Sequence, residues 1–236
     1  MNKKRLTIVF LLLLIHISIP TLAVAVNEEL ATTPLSETDK AYFLENIKIV
    51  LLDEEPEPQK VQCFAISHDG MIALGHENNN SKTVTIYSKD GEFQYGYGFT
   101  TYGDFGLEWN AETLRVYFVR SDILVTLDRL AEITAIEKVL STSENNTYIR
   151  NNFYAYRKTI NGQVYQLRND SKLQNIFASS YSQLTTMVNG DEIVLYQAPT
   201  GASTNMEIVT FCLILGIALI ICLGMCMRVI SRKKHV

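Results

Sequence analysis

An uncharged run of twenty residues near the C-terminus constrains this chain more than any other feature of its sequence. The run begins at Ile208, ends at Met227 and consists mostly of Ile, Leu, Val, Met and Cys. At a rise of about 1.5 Å per residue, a helix of this length spans about 30 Å, which is the thickness of a bilayer's hydrocarbon core. Because lipid offers the backbone no hydrogen-bond partners, the run predicts one transmembrane helix.

The short segment after this run sets the orientation of the chain in a membrane. It contains four basic residues, which are Arg228, Arg232, Lys233 and Lys234. Basic residues beside a span stay in the cytoplasm, so residues 228–236 are predicted to form a cytoplasmic tail. The chain that precedes the span is therefore expected on the outer side of the membrane.

The N-terminus has the composition of a secretory signal. Basic residues at positions 3–5 precede an apolar stretch, and the small-x-small pattern that ends at Ala25 predicts cleavage after residues 1–25. An uncleaved signal would instead form a second span with both chain ends in the cytoplasm. The domain between the two ends is expected outside the cytoplasm in either case.

The charges between the two ends are mainly acidic. All 25 Asp and Glu residues lie between Val26 and Glu207, whereas seven of the 21 Lys and Arg residues lie in the two end segments. Nucleic-acid binding depends on neutralising phosphates, so an acidic domain is a poor partner for nucleic acid. Net negative charge instead favours the solubility of an exposed domain.

Short strands and polar turns recur with a period of 40 residues. Three similar strands show this spacing: Thr85-Ile86-Tyr87, Val125-Thr126-Leu127 and Tyr165-Gln166-Leu167. Upstream strands are expected to begin at Ile72, Leu114, Phe153 and Ile193. A period near 40 with about four strands per unit is typical of β-propeller blades.

Residues 61–197 resemble the WD40-like and NHL-like propeller repeats in this pattern. The turn Ser67-His68-Asp69-Gly70 followed by an apolar strand is similar to the start of such a blade, although the sequence lacks the combined signature of a Gly-His pair followed by a Trp-Asp pair. The resemblance implies an all-β domain of three to four propeller-like units of four strands, in an open or minimally closed array. It does not imply an activity.

The fourth unit is incomplete in the sequence. Only two of its strands are expected, at 184–188 and 192–197, and the early strand at 48–52 could complete it by pairing across the termini. Otherwise the array stays open and its edges need a cover, because exposed strand edges invite pairing. A partner domain could provide that cover.

Shorter segments flank the predicted β domain, which covers residues 47–200. Residues 26–46 are expected to form a tether with a short helix that Ser36 caps. Residues 201–207 are expected to link the domain to the span at 208–227.

Few side chains outside the span are suited to catalysis or metal binding. His68 and His76 would need further ligands to hold a metal ion, and we expect a turn residue and a strand-end residue instead. Cys63 is expected to be a small buried residue. The sequence has no nucleophile elbow, phosphate-binding loop or dinucleotide fingerprint. It therefore predicts neither a catalytic residue nor a metal or other cofactor.

One strand has an unusual aromatic composition. Strand alternation places four aromatic residues on one face: Phe93, Tyr95, Tyr97 and Phe99. The opposite face has Gly96 and Gly98, and glycine weakens a strand unless something approaches its backbone closely. The aromatic face either binds a sugar or peptide or packs between neighbouring sheets, and the sequence favours packing.

Location and fold class lead to three hypotheses of function. The leading one is a binding or protein-interaction module displayed at the cell membrane. The second is an accessory subunit of a larger membrane complex, assembled through its span or an open sheet edge. Small residues of the span such as Gly216 and Gly224 could also bring two copies of the helix together, so self-association is a further possible contact. The third, and least favoured, is an extracytoplasmic hydrolase that uses loop carboxylates.

Overall fold

The computed structural model describes residues 29–170, 178–188 and 190–199, together with Asn175 and Gly216. The predicted signal at 1–25, the linker at 201–207, the span at 208–227 and the tail at 228–236 lie outside these residues, except for Gly216. Among the residues described, no helix has both the length and the apolar character needed to cross a membrane.

Two helices and fourteen strands form the described chain. In chain order they are β1 (Thr32–Pro34), α1 (Glu37–Asn46), β2 (Val50–Leu52), β3 (Val61–Ile66), β4 (Ile72–Asn78), β5 (Ser81–Tyr87), β6 (Phe93–Thr100), β7 (Phe105–Asn110), β8 (Thr113–Phe118), β9 (Ile123–Leu127), β10 (Ile133–Val139), α2 (Ser143–Asn152), β11 (Arg157–Ile160), β12 (Gln163–Arg168), β13 (Gln183–Val188) and β14 (Asp191–Gln197).

The strands form three antiparallel sheets, each built on four consecutive strands. Sheet I contains β3–β6, sheet II contains β7–β10 and sheet III contains β11–β14. Two of the sheets gain a fifth strand at the outer edge, since β2 pairs with β6 and β1 pairs with β10. In sheet III, β14 has no further neighbour within the described ranges. The domain is thus all-β and propeller-like, and none of its described sheets is closed.

The prediction of a separate fourth unit is wrong. The strands expected at 184–188 and 192–197 are β13 and β14, which belong to sheet III. The early strand at 48–52 is β2, and it extends sheet I instead of closing the array. The similar strands at Thr85 and Val125 are the third strands of sheets I and II. Because a helix precedes sheet III, the corresponding strand at Tyr165 is only the second strand of its sheet.

That helix, α2, was not expected from the sequence. Its N-cap Thr142 accepts a hydrogen bond from the Asn145 backbone N–H at 3.1 Å. Asn145, Ile149 and Phe153 follow one another at helical spacing and are all buried. The prediction that Phe153 begins a strand is therefore wrong, since Phe153 is the C-cap residue of α2.

An N-terminal strap, residues 30–52, runs along the outer edges of sheets II and I. The helix α1 begins after Ser36, whose side chain accepts from the Asp39 backbone N–H at 3.1 Å, as predicted. The expectation of a plain tether is wrong for Thr32–Pro34, which forms β1. The side chain of Asn145 fixes the start of the strap, because it accepts from the Ala31 N–H at 2.9 Å and donates to the Ala31 carbonyl at 2.7 Å.

The core has three parts, and sheet I lies between two of them. One apolar cluster packs sheet I against sheet II and includes Phe43 of α1. A second cluster packs the other face of sheet I against sheet III. A third covers the outer face of sheet II with Leu30 and residues of α2. Sheet I is thus buried on both faces, whereas sheet III contacts an apolar cluster on one.

The aromatic strand β6 packs into this core. Tyr97 and Phe99 are 1% and 4% exposed, and they lie with Tyr95 in the cluster between sheets I and II. The expectation that all four aromatics share a face is wrong for Phe93. A register shift between Ile86 and Tyr87 turns Phe93 toward the cluster between sheets I and III.

The glycines of β6 lie beneath the strap. In the pairing of β2 with β6, Val50 lies opposite Gly98 and Leu52 lies opposite Gly96. A Cβ atom at Gly96 would lie 2.6 Å from the Val84 carbonyl oxygen, whereas one at Gly98 would meet the Val50 side chain at 3.3 Å. The first distance shows why β6 has no side chain at Gly96, whereas a Cβ at Gly98 would require only a small shift of the Val50 side chain.

Candidate ligand-binding cleft

The first strands of the three sheets meet near the middle of the domain. β3 of sheet I lies beside β7 of sheet II. Lys158 of β11, in sheet III, donates to the Phe64 carbonyl of β3 at 2.7 Å. Each sheet therefore brings one end of its first strand, or the loop that leads to it, to the same region.

A polar cleft of about 740 Å³ opens at these strand ends. Its walls come from the start of β3, the end of β4, the residue before β7, the loop after α2 and the loop before β13. The lining residues are Gln59, Lys60, Gln62, Glu77, Asn78, Asp104, Tyr154, Ala178, Ser179, Ser180 and Tyr181. Ligand sites fall in the range of about 300–1,000 Å³, so the cleft has a suitable size for a small molecule.

Gln62 and Asp104 join sheets I and II at the cleft wall. The Gln62 amide nitrogen donates to the Asp104 carboxylate at 3.2 Å. Only the NH₂ group of an amide can bond to a carboxylate, so this contact fixes the orientation of the amide. Gln62 Oε1 is then left as a buried acceptor without a hydrogen-bond partner in the described structure.

Tyr154 provides the second buried polar atom of the wall. Its backbone N–H donates to the Ile149 carbonyl at 3.2 Å, which places it directly after α2. The ring lies against Gly106, where a Cβ would be 3.1 Å from Tyr154 Cζ. The hydroxyl is buried and has no partner among the residues described. Burial raises the pKa of this hydroxyl, so it stays protonated and can donate.

The opposite rim is held rigidly by backbone contacts. The Tyr196 hydroxyl accepts from the Gln59 N–H at 2.9 Å and donates to the Gln59 carbonyl at 2.8 Å. Val61 and Tyr181 exchange two backbone hydrogen bonds of 2.8 Å, which tie β3 to the loop before β13. A rim fixed in this way loses little conformational entropy when a ligand binds.

The charges that line the cleft balance one another. Glu77 and Asp104 provide two carboxylates, and Lys60 provides an ammonium group. Glu77 forms an ion pair with Lys82 of the neighbouring strand, whose side chain is only 1% exposed. The cleft therefore has no strong excess of either sign.

Neither Cys63 nor Lys158 is among the residues that line the cleft. Burial raises the pKa of the Cys63 thiol to about 12, so the reactive thiolate is not available near neutral pH. Burial also lowers the pKa of Lys158 to about 8. Its ammonium hydrogen-bonds to the carbonyls of Phe64 and Asn152 and lies over the Phe64 ring. These contacts hold sheet III against sheet I and against the end of α2.

The two histidines that the sequence singled out are not brought together. His68 lies in the turn before β4, whereas His76 lies near the far end of β4, where it pairs with Val61. His76 is 3% exposed, and its ring nitrogens contact Thr85 Oγ1 at 2.9 Å and the Gln59 carbonyl at 3.2 Å. Within the described ranges, no three His, Cys, Asp or Glu residues form a group that could hold a metal ion.

A second groove of about 370 Å³ lies between the turns of sheets I and III. It includes His68, Asp69 and Asp90 from sheet I and Asn161 and Tyr165 from sheet III. Asn161 donates to the His68 carbonyl at 2.7 Å, so the groove is bridged by a protein contact. We therefore regard the larger cleft as the better candidate.

The sequence analysis missed the residues of the cleft. Gln62, Asp104 and Tyr154 are far apart in the chain and meet only because the first strands converge. One signal was present: Gln62 is a large polar residue within the apolar strand Val61–Ile66. A polar side chain in a strand that is buried on both faces needs a partner, and this one finds Asp104.

The described chain is an open, propeller-like, all-β domain with a polar cleft at its first strands. No protein-family model matches the sequence, and no curated protein matches it significantly. Among solved structures, the chain is similar to a streptogramin B lyase structure, with 12% sequence identity and a TM-score of 0.28. That match covers 67% of this chain and 47% of the lyase chain, so the chain spans about half the length of the protein it matches. The three sheets define the fold independently of this match.

Proposed function

We propose that this protein is a membrane-anchored, extracytoplasmic binding module whose ligand occupies the cleft at the first strands. The observation that supports the proposal most directly is the pair of buried polar atoms in the cleft wall, Gln62 Oε1 and the Tyr154 hydroxyl, which lack partners among the described residues. Buried polar atoms are nearly always paired in folded proteins. A bound ligand that forms hydrogen bonds with these two atoms would remove the free-energy cost of leaving them unpaired.

A ligand screen in two backgrounds tests this site. Small polar ligands are screened by thermal shift on the full-length protein in detergent, and hits are repeated on Gln62→Met. Methionine keeps the length of the side chain but removes both polar atoms, so we expect hits to lose most of their stabilisation. Gln94→Met, on the aromatic strand outside the cleft, is the matched control. Hits that survive Gln62→Met unchanged would place the binding site elsewhere.

The location of the module is part of the same proposal. The predicted signal at 1–25, the apolar run at 208–227 and the basic tail support an outward-facing domain with one anchor. Protease applied to intact cells should digest the domain and leave an epitope on the tail protected. A domain that stays intact in cells but is digested after lysis would contradict this orientation.

An accessory subunit of a membrane complex is the second candidate. The outer strand β14 supports it, since this strand has no neighbour on its outer side in the described structure and exposes Ile193 and Val194 by 44% and 47%. Purification from a mild detergent extract should then yield a stoichiometric membrane partner. Val194→Lys, which places a charge on that edge, should release the partner, and Met187→Lys on the adjacent strand serves as a control.

A further inference from the structure

We infer that the cleft binds a neutral, hydroxyl-rich ligand of the carbohydrate class. This inference rests on the proposed function, because it names the ligand of the same cleft. It follows from the hydrogen-bonding roles of two wall atoms, the charge balance of the lining and the side-chain types that surround the opening.

The first argument concerns hydrogen-bonding roles. Gln62 Oε1 can only accept, because its amide nitrogen is committed to Asp104. The Tyr154 hydroxyl is free to donate, since no described residue accepts from it. A ligand hydroxyl both donates and accepts, so it can satisfy either atom. A carboxylate or phosphate has no proton for Gln62, and an ammonium group has no lone pair for Tyr154.

The second argument concerns charge. Glu77 is paired with Lys82, and the cleft lining also includes Asp104 and Lys60, which have opposite charges. Anion sites usually contain several Arg or Lys side chains or a helix N-terminus that points at the ligand. The described cleft lining contains no arginine. A charged ligand would pay the high cost of desolvating its charge without gaining a compensating field, whereas a neutral polyol has only hydroxyl groups whose lost water contacts hydrogen bonds can replace.

The third argument concerns the other lining groups. Gln59 and Asn78 add amides, and Ser179 and Ser180 add hydroxyls. These groups suit the closely spaced hydroxyls of a sugar ring, which alternate as donors and acceptors. Tyr154 and Tyr181 add aromatic rings to the lining, and such rings offer apolar faces to the C–H groups of a sugar.

The inference is tested by calorimetry on full-length protein in detergent with a fixed probe panel. The panel contains three neutral oligosaccharides (maltotriose, cellotriose and chitotriose), the anionic trigalacturonic acid and the neutral peptide triglycine. At least one neutral oligosaccharide should bind. Tyr154→Phe should weaken that binding by at least about tenfold, because it removes one buried hydrogen bond to the ligand.

Tyr117→Phe is the matched control, since the Tyr117 hydroxyl donates to Asp122 at 2.8 Å and does not line the cleft. This variant should bind the oligosaccharide as the wild type does. In ligand-free protein, Tyr154→Phe should leave the melting temperature unchanged or higher, because the lost hydroxyl has no partner in the described chain. A lower melting temperature would mean that the hydroxyl is satisfied inside the protein or by ordered water only, which would overturn the inference.

The other outcomes are equally decisive. Binding of triglycine alone, with sensitivity to Tyr154→Phe, would reject the carbohydrate class but keep the cleft as a binding site. Binding of trigalacturonic acid alone, with the same sensitivity, would reject a neutral ligand and likewise keep the site. Oligosaccharide binding that Tyr154→Phe does not weaken would reject this site. If no neutral oligosaccharide of the panel binds, the inference is wrong, while the proposed function is decided separately by the Gln62→Met screen.

Discussion

Sheets I and III have the same antiparallel order of four strands but very different surroundings. Sheet I is buried on both faces, and β2 covers its outer edge. Sheet III packs against an apolar cluster on one face, and its last strand has no cover among the described residues. Yet β14 has the apolar run Ile193-Val194-Leu195, much like the strands of sheet I. The difference shows that an apolar sequence predicts that a segment forms a strand. Whether the strand is buried depends on the position of its sheet relative to the other sheets.

The largest expected contrast between the two sheets comes from tyrosines. Tyr97 of sheet I is 1% exposed and donates to the Asp128 carbonyl at 2.7 Å, so Tyr97→Ala should lower the free energy of unfolding by about 3–5 kcal/mol. Tyr156, next to sheet III, is 56% exposed, and Tyr156→Ala should change the free energy of unfolding by less than about 0.5 kcal/mol. Urea unfolding of the two variants measures both. Equal losses of stability would contradict the difference in burial between these two tyrosines.

The interface between the two sheets should respond to acid through His76. Burial lowers the pKa of His76 from 6.5 to about 4, so the unfolded chain binds a proton there at a higher pH than the folded chain. The contribution of His76 to stability is therefore complete above about pH 6.5 and falls as the pH drops toward 4, by about 3 kcal/mol in total. The contribution of His76 is isolated by measuring the unfolding of wild type and His76→Gln at several pH values. A wild-type curve parallel to that of the variant would contradict it.

The close packing of β6 against its neighbours β5 and β2 can be tested through its two glycines. Gly96→Ala places a Cβ against a backbone oxygen, so it should destabilise by about 1–3 kcal/mol. Gly98→Ala meets only side-chain carbons of Val50 and Leu52, which can shift, and its effect should be under about 1 kcal/mol. Thermal unfolding of both variants decides this. If Gly96→Ala is harmless, the Val84 carbonyl of β5 does not lie as close to Gly96 as the structure places it.

The smallest effect is expected at the open edge of sheet III. Val194→Thr should change the free energy of unfolding by less than about 0.5 kcal/mol, because Val194 is 47% exposed. Val84→Thr makes the same change in sheet I at 0% exposure and should cost about 1–3 kcal/mol. A large loss at Val194 would reveal that this edge is covered.

Much of sheets I and II could be predicted from the sequence, because their strands alternate with clear turns and keep one spacing. The prediction for the third repeat was wrong for a physical reason. The segment Ser143–Asn152 is rich in Asn, which indicates a turn, but Ile149 and Phe153 at helical spacing bury one side of a helix. The displacement of Phe93 also could not be predicted, since a bulge depends on the pairing of two strands.

The candidate cleft could not be predicted from the sequence, for a different reason. Gln62 and Asp104 lie 42 residues apart, and Tyr154 comes from a loop after the unexpected helix. None of these residues belongs to a motif, and their meeting depends on how the three sheets are arranged. Apolar periodicity carries information about neighbours within a sheet, but little about which strand ends converge.

The N-terminal strap has a consequence for the order of folding. β1 pairs with β10, and the Thr32 hydroxyl donates to the Glu137 carboxylate across a separation of 105 residues. A chain synthesised from its N-terminus therefore exposes the strap long before its partner strand exists. Contacts so distant in sequence form slowly, because a long loop must close first. The strap should thus dock late, after sheets I and II have assembled, and act as the step that locks them together.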